Sequence, residues 1–65
     1  MMAKLSLKAA RVNVNLTQEK AAEMLGISEK TLYSYENGHT FPTAPTIKKM
    51  CEVYAVEHDE LIFFK

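Results

Sequence analysis

The sequence contains a single cysteine and no long apolar run, and these shortages exclude whole classes of protein. Cys51 alone cannot form an internal disulfide bond, which fits the reducing conditions of the cytoplasm. No stretch approaches the roughly 20 apolar residues of a membrane-spanning helix, and the N-terminus lacks the apolar segment of a signal peptide. We therefore expect a cytoplasmic protein that does not enter a membrane.

Groups of residues that catalyse reactions or hold a metal ion are also missing. His39 and His58 are isolated, and Cys51 lies on the apolar stripe of a predicted helix, where a core role is favoured over a nucleophilic one. No zinc-ligand spacing, Gly-rich phosphate loop or pair of catalytic carboxylates occurs. We expect no enzymatic activity, no metal site and no cofactor.

The chain also lacks an excess of positive charge, because eight Lys and Arg residues balance eight Asp and Glu residues. Proteins that bind nucleic acids are commonly basic, so this balance is an argument against DNA binding, although a weak one. The charges are unevenly placed. The first stretch is basic and the last is acidic, with Lys4, Lys8 and Arg11 in the former and Glu52, Glu57, Asp59 and Glu60 in the latter. One end of the domain can therefore face phosphates.

The strongest pattern that is present covers residues 16–38, where two short amphipathic helical patterns flank a turn. Gly26 can take the positive φ that ends one helix, and Ser28 can cap the next. We predict helices over Gln18–Leu25 and residues 29–37. The second of these has polar side chains on one face and an apolar strip on the other, which suits a helix lying in a DNA major groove.

The rest of the chain predicts three further helices, so that all 65 residues form one small all-α domain of five helices. The first covers about residues 6–12, the fourth follows a Thr43 cap, and a fifth begins near His58, although Glu57 is a poor cap. The alternating residues 12–15 could pass for a strand, but no second candidate strand pairs with them. Four apolar residues near the end exceed what so small a domain can bury, namely Leu61, Ile62, Phe63 and Phe64.

Many turn and core residues fall together at the spacing of a known family. They are Leu16-Thr17-Gln18, Ala22, Leu25-Gly26-Ile27-Ser28, Thr31-Leu32, Tyr35-Glu36-Asn37-Gly38, Pro42, Ile47, Met50, Tyr54, Val56 and Leu61. From about residue 7 to residue 62 the chain resembles the Cro/phage-repressor (XRE-type) helix-turn-helix family. The resemblance implies a five-helix domain that binds a near-palindromic DNA operator, usually as a dimer. One departure is Ala21, where leucine is usual, so Tyr35 or Tyr54 is expected to fill that part of the core.

The resemblance also implies roles for individual residues. Positions that reach base edges or the adjacent backbone are matched by Ser28, Glu29, Lys30 and Ser34, and phosphate contacts are matched by Gln18 and Asn37. Arg11 and Glu36 match an internal ion pair, whereas their ordinary role would be that of independent surface charges. Tyr33, outward on the same helix, is expected on a sugar or a thymine methyl, or else in a protein contact.

Each of these polar residues also has a plain structural role to weigh against DNA contact. Glu29 can accept a hydrogen bond from cytosine N4, or its negative charge can simply stabilise the helix through a favourable interaction with the positive end of the helix dipole. Lys30 can donate to guanine O6 or N7, to a phosphate, or only to water. Gln18 lies beside a helix N-terminus, where a phosphate would also meet free backbone N–H groups.

Two functions from different classes follow from these patterns. The leading hypothesis is a sequence-specific transcriptional regulator, a repressor from a prokaryote or phage, that pairs two copies through Leu61, Ile62, Phe63 and Phe64. The alternative is a protein-interaction module, such as an antitoxin or antirepressor, that docks another protein through the same apolar tail. A salt series separates the two, because binding driven by phosphates weakens steeply with salt.

Overall fold

The computed structural model describes residues 4–63, which form four α-helices, one 3-10 turn and a pair of two-residue strands. In chain order these are β1 (Leu5–Ser6), α1 (Leu7–Asn13), α2 (Gln18–Leu25), α3 (Glu29–Glu36), α4 (Ala44–Tyr54), the 3-10 turn (His58–Glu60) and β2 (Leu61–Ile62). Among these residues no helix has the length and apolar character needed to cross a bilayer.

A hydroxyl side chain caps the N-terminus of every α-helix. Each cap accepts a hydrogen bond from the backbone N–H three residues later, which satisfies a donor that has no partner inside the helix. The distance from the backbone N to the capping side-chain oxygen is 3.0 Å for Ala9 and Ser6, 3.1 Å for Lys20 and Thr17, 3.0 Å for Thr31 and Ser28, and 3.4 Å for Thr46 and Thr43. The predicted caps Thr17, Ser28 and Thr43 are thus confirmed, as are the bounds of α2.

Left-handed backbone occurs at four of the described residues, namely Asn15, Gly26, Gly38 and Ala55. Gly26 has φ of 73° and Asn15 has φ of 61°, as expected for residues that tolerate this region. Ala55, which ends α4, has φ of 58° and was not predicted, because alanine carries a Cβ that disfavours this conformation.

The prediction of a fifth helix near His58 is wrong. Only the three-residue 3-10 turn forms there, closed by a hydrogen bond from the N–H of Glu57 to Glu60 Oε1 at 2.7 Å. The chain then extends as β2 and pairs in parallel with β1, with Leu61 opposite Leu5. Extended backbone satisfies the strand hydrogen bonds and turns Leu61 into the core, where it is 5% exposed. As predicted, residues 12–15 form no strand; the paired strands lie at residues 5–6 and 61–62, which the sequence did not single out.

The core lies where α2 packs against α3 and α4, with α1 closing one side. Its buried apolar residues are Leu7, Ala10, Ala21, Ala22, Leu25, Leu32, Met50, Tyr54 and Leu61. The two alanines of α2 are small enough to let neighbouring helices approach closely. Of the two tyrosines expected to fill the core, Tyr54 is the largest fully buried side chain, whereas Tyr35 is partly buried and packs against the core.

We predict that Tyr54→Phe raises the free energy of unfolding. The Tyr54 hydroxyl is buried without a hydrogen-bond partner among the described residues, and removing such a group gains about 1 kcal/mol. Burial first, and then the Glu36 carboxylate, raise the pKa of Tyr54 from 10.0 to about 12, against the opposing effect of Arg11. The unfolded chain therefore ionises first as pH rises, so the wild type loses stability between pH 10 and 12 and the phenylalanine variant loses less.

Thermal unfolding of both proteins from pH 7 to pH 12 measures this difference. Tyr33→Phe is the control, because the Tyr33 side chain is 52% exposed and should unfold as the wild type does across the range. A Tyr54→Phe variant that is less stable than the wild type at neutral pH would show that the hydroxyl contributes favourably to the fold.

Candidate nucleic-acid interface

A tight turn joins α2 to α3 and fixes the angle between the two helices. The N–H of Gly26 donates to the Glu23 carbonyl at 3.2 Å, and the N–H of Ile27 donates to the Ala22 carbonyl at 3.0 Å. A Cβ at position 26 would meet no atom within 4 Å, so glycine is favoured there by its positive φ and not by lack of space. The turn therefore leads directly into α3, whose buried residues are Leu32 and Glu36.

The exposed face of α3 carries the four residues for which base contacts are predicted. Glu29 and Lys30 are exposed, Tyr33 is 52% exposed, and Ser34 is half-buried one turn after Lys30. Residues three and four positions apart share a helix face, so these side chains form one surface. Leu32 lies on the opposite, buried side. A single exposed helix with mixed donors and acceptors can read base edges in a major groove.

Beneath this face, Arg11 and Glu36 form a buried, two-point ion pair. The Arg11 Nε donates to Glu36 Oε2 at 2.7 Å and Nη2 donates to Oε1 at 3.2 Å, while Nη1 donates to the Leu16 carbonyl at 2.9 Å. The side chains of the pair are 9% and 3% exposed. One guanidinium thereby joins α1, the connection before α2 and the last turn of α3.

The N-terminus of α2 opens into a shallow cleft beside this ion pair. Gln18 Nε2 donates to Glu36 Oε1 at 2.9 Å, which holds its carboxamide next to the backbone N–H groups that begin α2. Asn37 lies on the other side and donates from Nδ2 to the Tyr33 carbonyl at 2.8 Å. The residues that line the cleft are Lys8, Arg11, Thr17, Gln18, Tyr33, Glu36 and Asn37. A helix N-terminus beside a cation is suited to a phosphate.

Two of the three predicted backbone contacts are thus brought together and the third is not. Gln18 and Asn37 share the cleft, whereas Ser28 lies outside its lining and caps α3, donating to Thr31 Oγ1 at 2.8 Å. Lys8 joins the cleft but was not assigned a contact from the sequence. The sequence did place it in the basic first stretch that can face phosphates, without naming an individual contact.

The loop after α3 adds a second hollow next to Lys30. Thr40 Oγ1 donates to Ser34 Oγ at 3.1 Å, and the N–H of His39 donates to the Ser34 carbonyl at 3.0 Å. Phe41, 54% exposed, also borders this hollow and was assigned no role from the sequence.

The apolar tail is divided between the interior and the surface. Leu61 belongs to the core of its own protomer, which leaves less apolar surface for a partner than the sequence suggests. Ile62 is 42% exposed, and Phe63 packs partly on the core with its ring centroid 5.9 Å from that of His58. Phe64, also predicted at a dimer interface, lies outside the described residues.

Cys51 sits half-buried on α4, and burial raises the pKa of its thiol, with Glu57 and Glu52 acting in the same direction. The thiol is therefore held in its less nucleophilic, protonated form. In the part of the chain that the structure describes, no three His, Cys, Asp or Glu residues come together as metal ligands.

The sequence of this chain is similar to a known family and to three known transcriptional regulators. A family model described as helix-turn-helix matches residues 7–61. The chain is 38% identical over 56 residues to the HTH-type transcriptional regulator ImmR of Bacillus subtilis (strain 168), which covers 86% of this chain and 44% of ImmR. It is 34% identical to the HTH-type transcriptional activator BcrR of Enterococcus faecalis, again over 86% of this chain and over 28% of BcrR.

A third relative is the cryptic phage CTXphi transcriptional repressor RstR of Vibrio cholerae, 32% identical over 86% of this chain and 50% of RstR. The chain therefore spans half or less of each of these three relatives. No solved structure matches it significantly.

We predict that Arg11→Met lowers the free energy of unfolding by about 3–5 kcal/mol, because it leaves the Glu36 carboxylate buried and unpaired. Chemical denaturation measures the loss. The control is Lys20→Met, which breaks the ion pair with Glu23, whose side chains are 61% and 71% exposed, and should cost less than about 1 kcal/mol. Adding Glu36→Leu to Arg11→Met should restore part of the stability. If Arg11→Met is as stable as Lys20→Met, the buried pair contributes little to the free energy of unfolding.

Proposed function

This chain belongs to the helix-turn-helix family, of the Cro/phage-repressor (XRE) type, and from that premise we propose that it is a transcriptional regulator that binds double-stranded DNA sequence-specifically. The observation that carries the proposal is the exposed polar face of α3, held outward by the turn at Gly26 and flanked by the N-terminus of α2. The three relatives are named as a regulator, an activator and a repressor. We propose repression as the role of this chain, because a phage repressor is among them.

In this proposal α3 enters the major groove and its side chains read the bases. Lys30 donates to guanine O6 or N7, Glu29 accepts from cytosine N4, and Ser34 bonds either edge. Each well-formed base contact of this kind discriminates by about 1–3 kcal/mol. Tyr33, beside them, lies against a sugar or a thymine methyl.

Phosphate contacts position the domain on the duplex. A phosphate oxygen enters the cleft at the start of α2, where it meets the Gln18 carboxamide, the Lys8 ammonium and the first backbone N–H groups of the helix. Asn37 contacts the same strand from the end of α3, and Ser28 the backbone near its start. Because the chain has no net charge, few phosphates are neutralised and one protomer alone binds modestly.

Two protomers acting on an inverted repeat overcome this modest affinity. The surface that pairs them is built around Ile62 and Phe63, with Phe64 as a further candidate. In such a dimer the two recognition helices lie about 34–36 Å apart, one turn of DNA, and each enters one half-site.

Selection from a random pool of double-stranded DNA, at low and at physiological salt, tests the proposal. We expect an enriched inverted repeat whose affinity falls steeply as salt rises. Lys30→Met should relax the preference at one base position of each half-site, whereas Lys8→Met should weaken all sequences alike and lower the salt slope by about one. No enrichment at either salt would overturn DNA reading in favour of the protein-interaction module.

Once an operator is known, Ile62→Gln tests the dimer surface. Burying an isoleucine side chain stabilises by about 1.5–3 kcal/mol, and a two-fold interface loses that side chain from both protomers. The variant should therefore bind the inverted repeat at least tenfold more weakly and an isolated half-site as the wild type does. Met24→Gln is the matched control, because Met24 is 43% exposed against 42% for Ile62. Equal binding of the inverted repeat by both variants would exclude Ile62 from the interface.

A further inference from the structure

The hollow beside the exposed face of α3 combines polar and apolar groups, and the roles assigned above do not account for its apolar part. It is lined by Lys30, Thr31, Ser34, Tyr35, Thr40 and Phe41. Lys30 and Ser34 are predicted base contacts on α3, so the hollow opens on the surface that would face DNA. Phe41 borders it from the loop, with 54% of its surface exposed.

Hydrogen bonds hold this loop to α3. Ser34 takes part in two of them, through its hydroxyl with Thr40 Oγ1 and through its carbonyl with the N–H of His39. Gly38 has φ of 75°, which reverses the chain just after α3. Pro42, which follows Phe41, is buried and fixes the far end of the loop. Phe41 directly follows Thr40, whose side chain is hydrogen-bonded to Ser34 on α3. The position of Phe41 is therefore fixed relative to α3.

A phenylalanine cannot donate to a phosphate, so its contribution at a DNA surface is apolar. The apolar group that base pairs display in the major groove is the C5-methyl of thymine, and phenylalanine is among the side chains that contact it. Lys30 supplies a positive charge at the edge of the same hollow, which complements the acceptors of an adjacent base or phosphate. An exposed ring beside a positive charge is complementary to the methyl-bearing edge of a thymine.

We propose that Phe41 is a specificity-determining residue that contacts the C5-methyl of a thymine in each half-site, next to the bases contacted by Lys30 and Ser34. The inference rests on the proposed DNA-binding function and adds to it a base identity and a residue outside the helix-turn-helix itself. It requires that the operator contain a thymine at that position.

Replacing thymines of the selected operator one at a time with deoxyuridine removes single methyl groups and tests the contact. The wild type should bind about fourfold more weakly when the contacted thymine is replaced, the factor that corresponds to about 0.8 kcal/mol for one buried methyl. Phe41→Ala should bind the thymine and deoxyuridine duplexes equally. Phe41→Leu should keep part of the difference, because leucine still offers an apolar surface.

Val12→Ala is the control, since Val12 is exposed to a similar degree, 52%, and lies on α1. It should keep the full wild-type sensitivity to deoxyuridine. A Phe41→Ala variant with that same sensitivity, or an operator in which no thymine is sensitive, overturns the role of Phe41 while leaving DNA binding intact. A wild-type protein that selects no DNA sequence overturns the proposed function itself, so the two failures are distinguishable.

Discussion

The position of α3 depends on the ion pair between Arg11 and Glu36. Removing two charges from water is costly, and the pair is retained only because its remaining hydrogen-bonding groups are also satisfied. Here the guanidinium reaches both carboxylate oxygens and the Leu16 carbonyl, and Gln18 adds a further donor to the carboxylate. Such bonds are directional in a way that apolar contacts are not. They fix how the last turn of α3 sits on α1 and therefore which side of α3 faces outward.

Gln18 connects this buried pair to the surface. Its carboxamide contacts Glu36 on the inner side and lies at the start of α2, in the cleft suited to a phosphate. The N-terminus of α2, the Gln18 amide and Lys8 meet in that cleft together with the ion-paired Glu36 carboxylate, in a chain whose net charge is zero. The proposed phosphate contact therefore depends on the local placement of charge and not on its total.

Features that depend on neighbouring residues could be predicted from the sequence, whereas features that depend on distant ones could not. Thr17, Ser28 and Gly26 act within a single turn of backbone, so their caps and positive φ follow from local chemistry. The strand pair joins the two ends of the described chain, and no local pattern announces that Leu5 will meet Leu61. Phe41 was overlooked for a similar reason, since only the folded loop places it beside Ser34.

The short strand β2 also bears on the proposed pairing of two protomers. Alternation along an extended chain sends Leu61 inward and Ile62 outward, so the strand divides an apolar run that looks continuous in the sequence. In the described part of the tail, apolar surface for a partner is then left only at Ile62 and at the half-buried Phe63, a small share of the roughly 20–30 residues a side of a stable interface. Association without DNA should therefore be weak, and two half-sites on one duplex would supply the effective concentration that a small interface lacks.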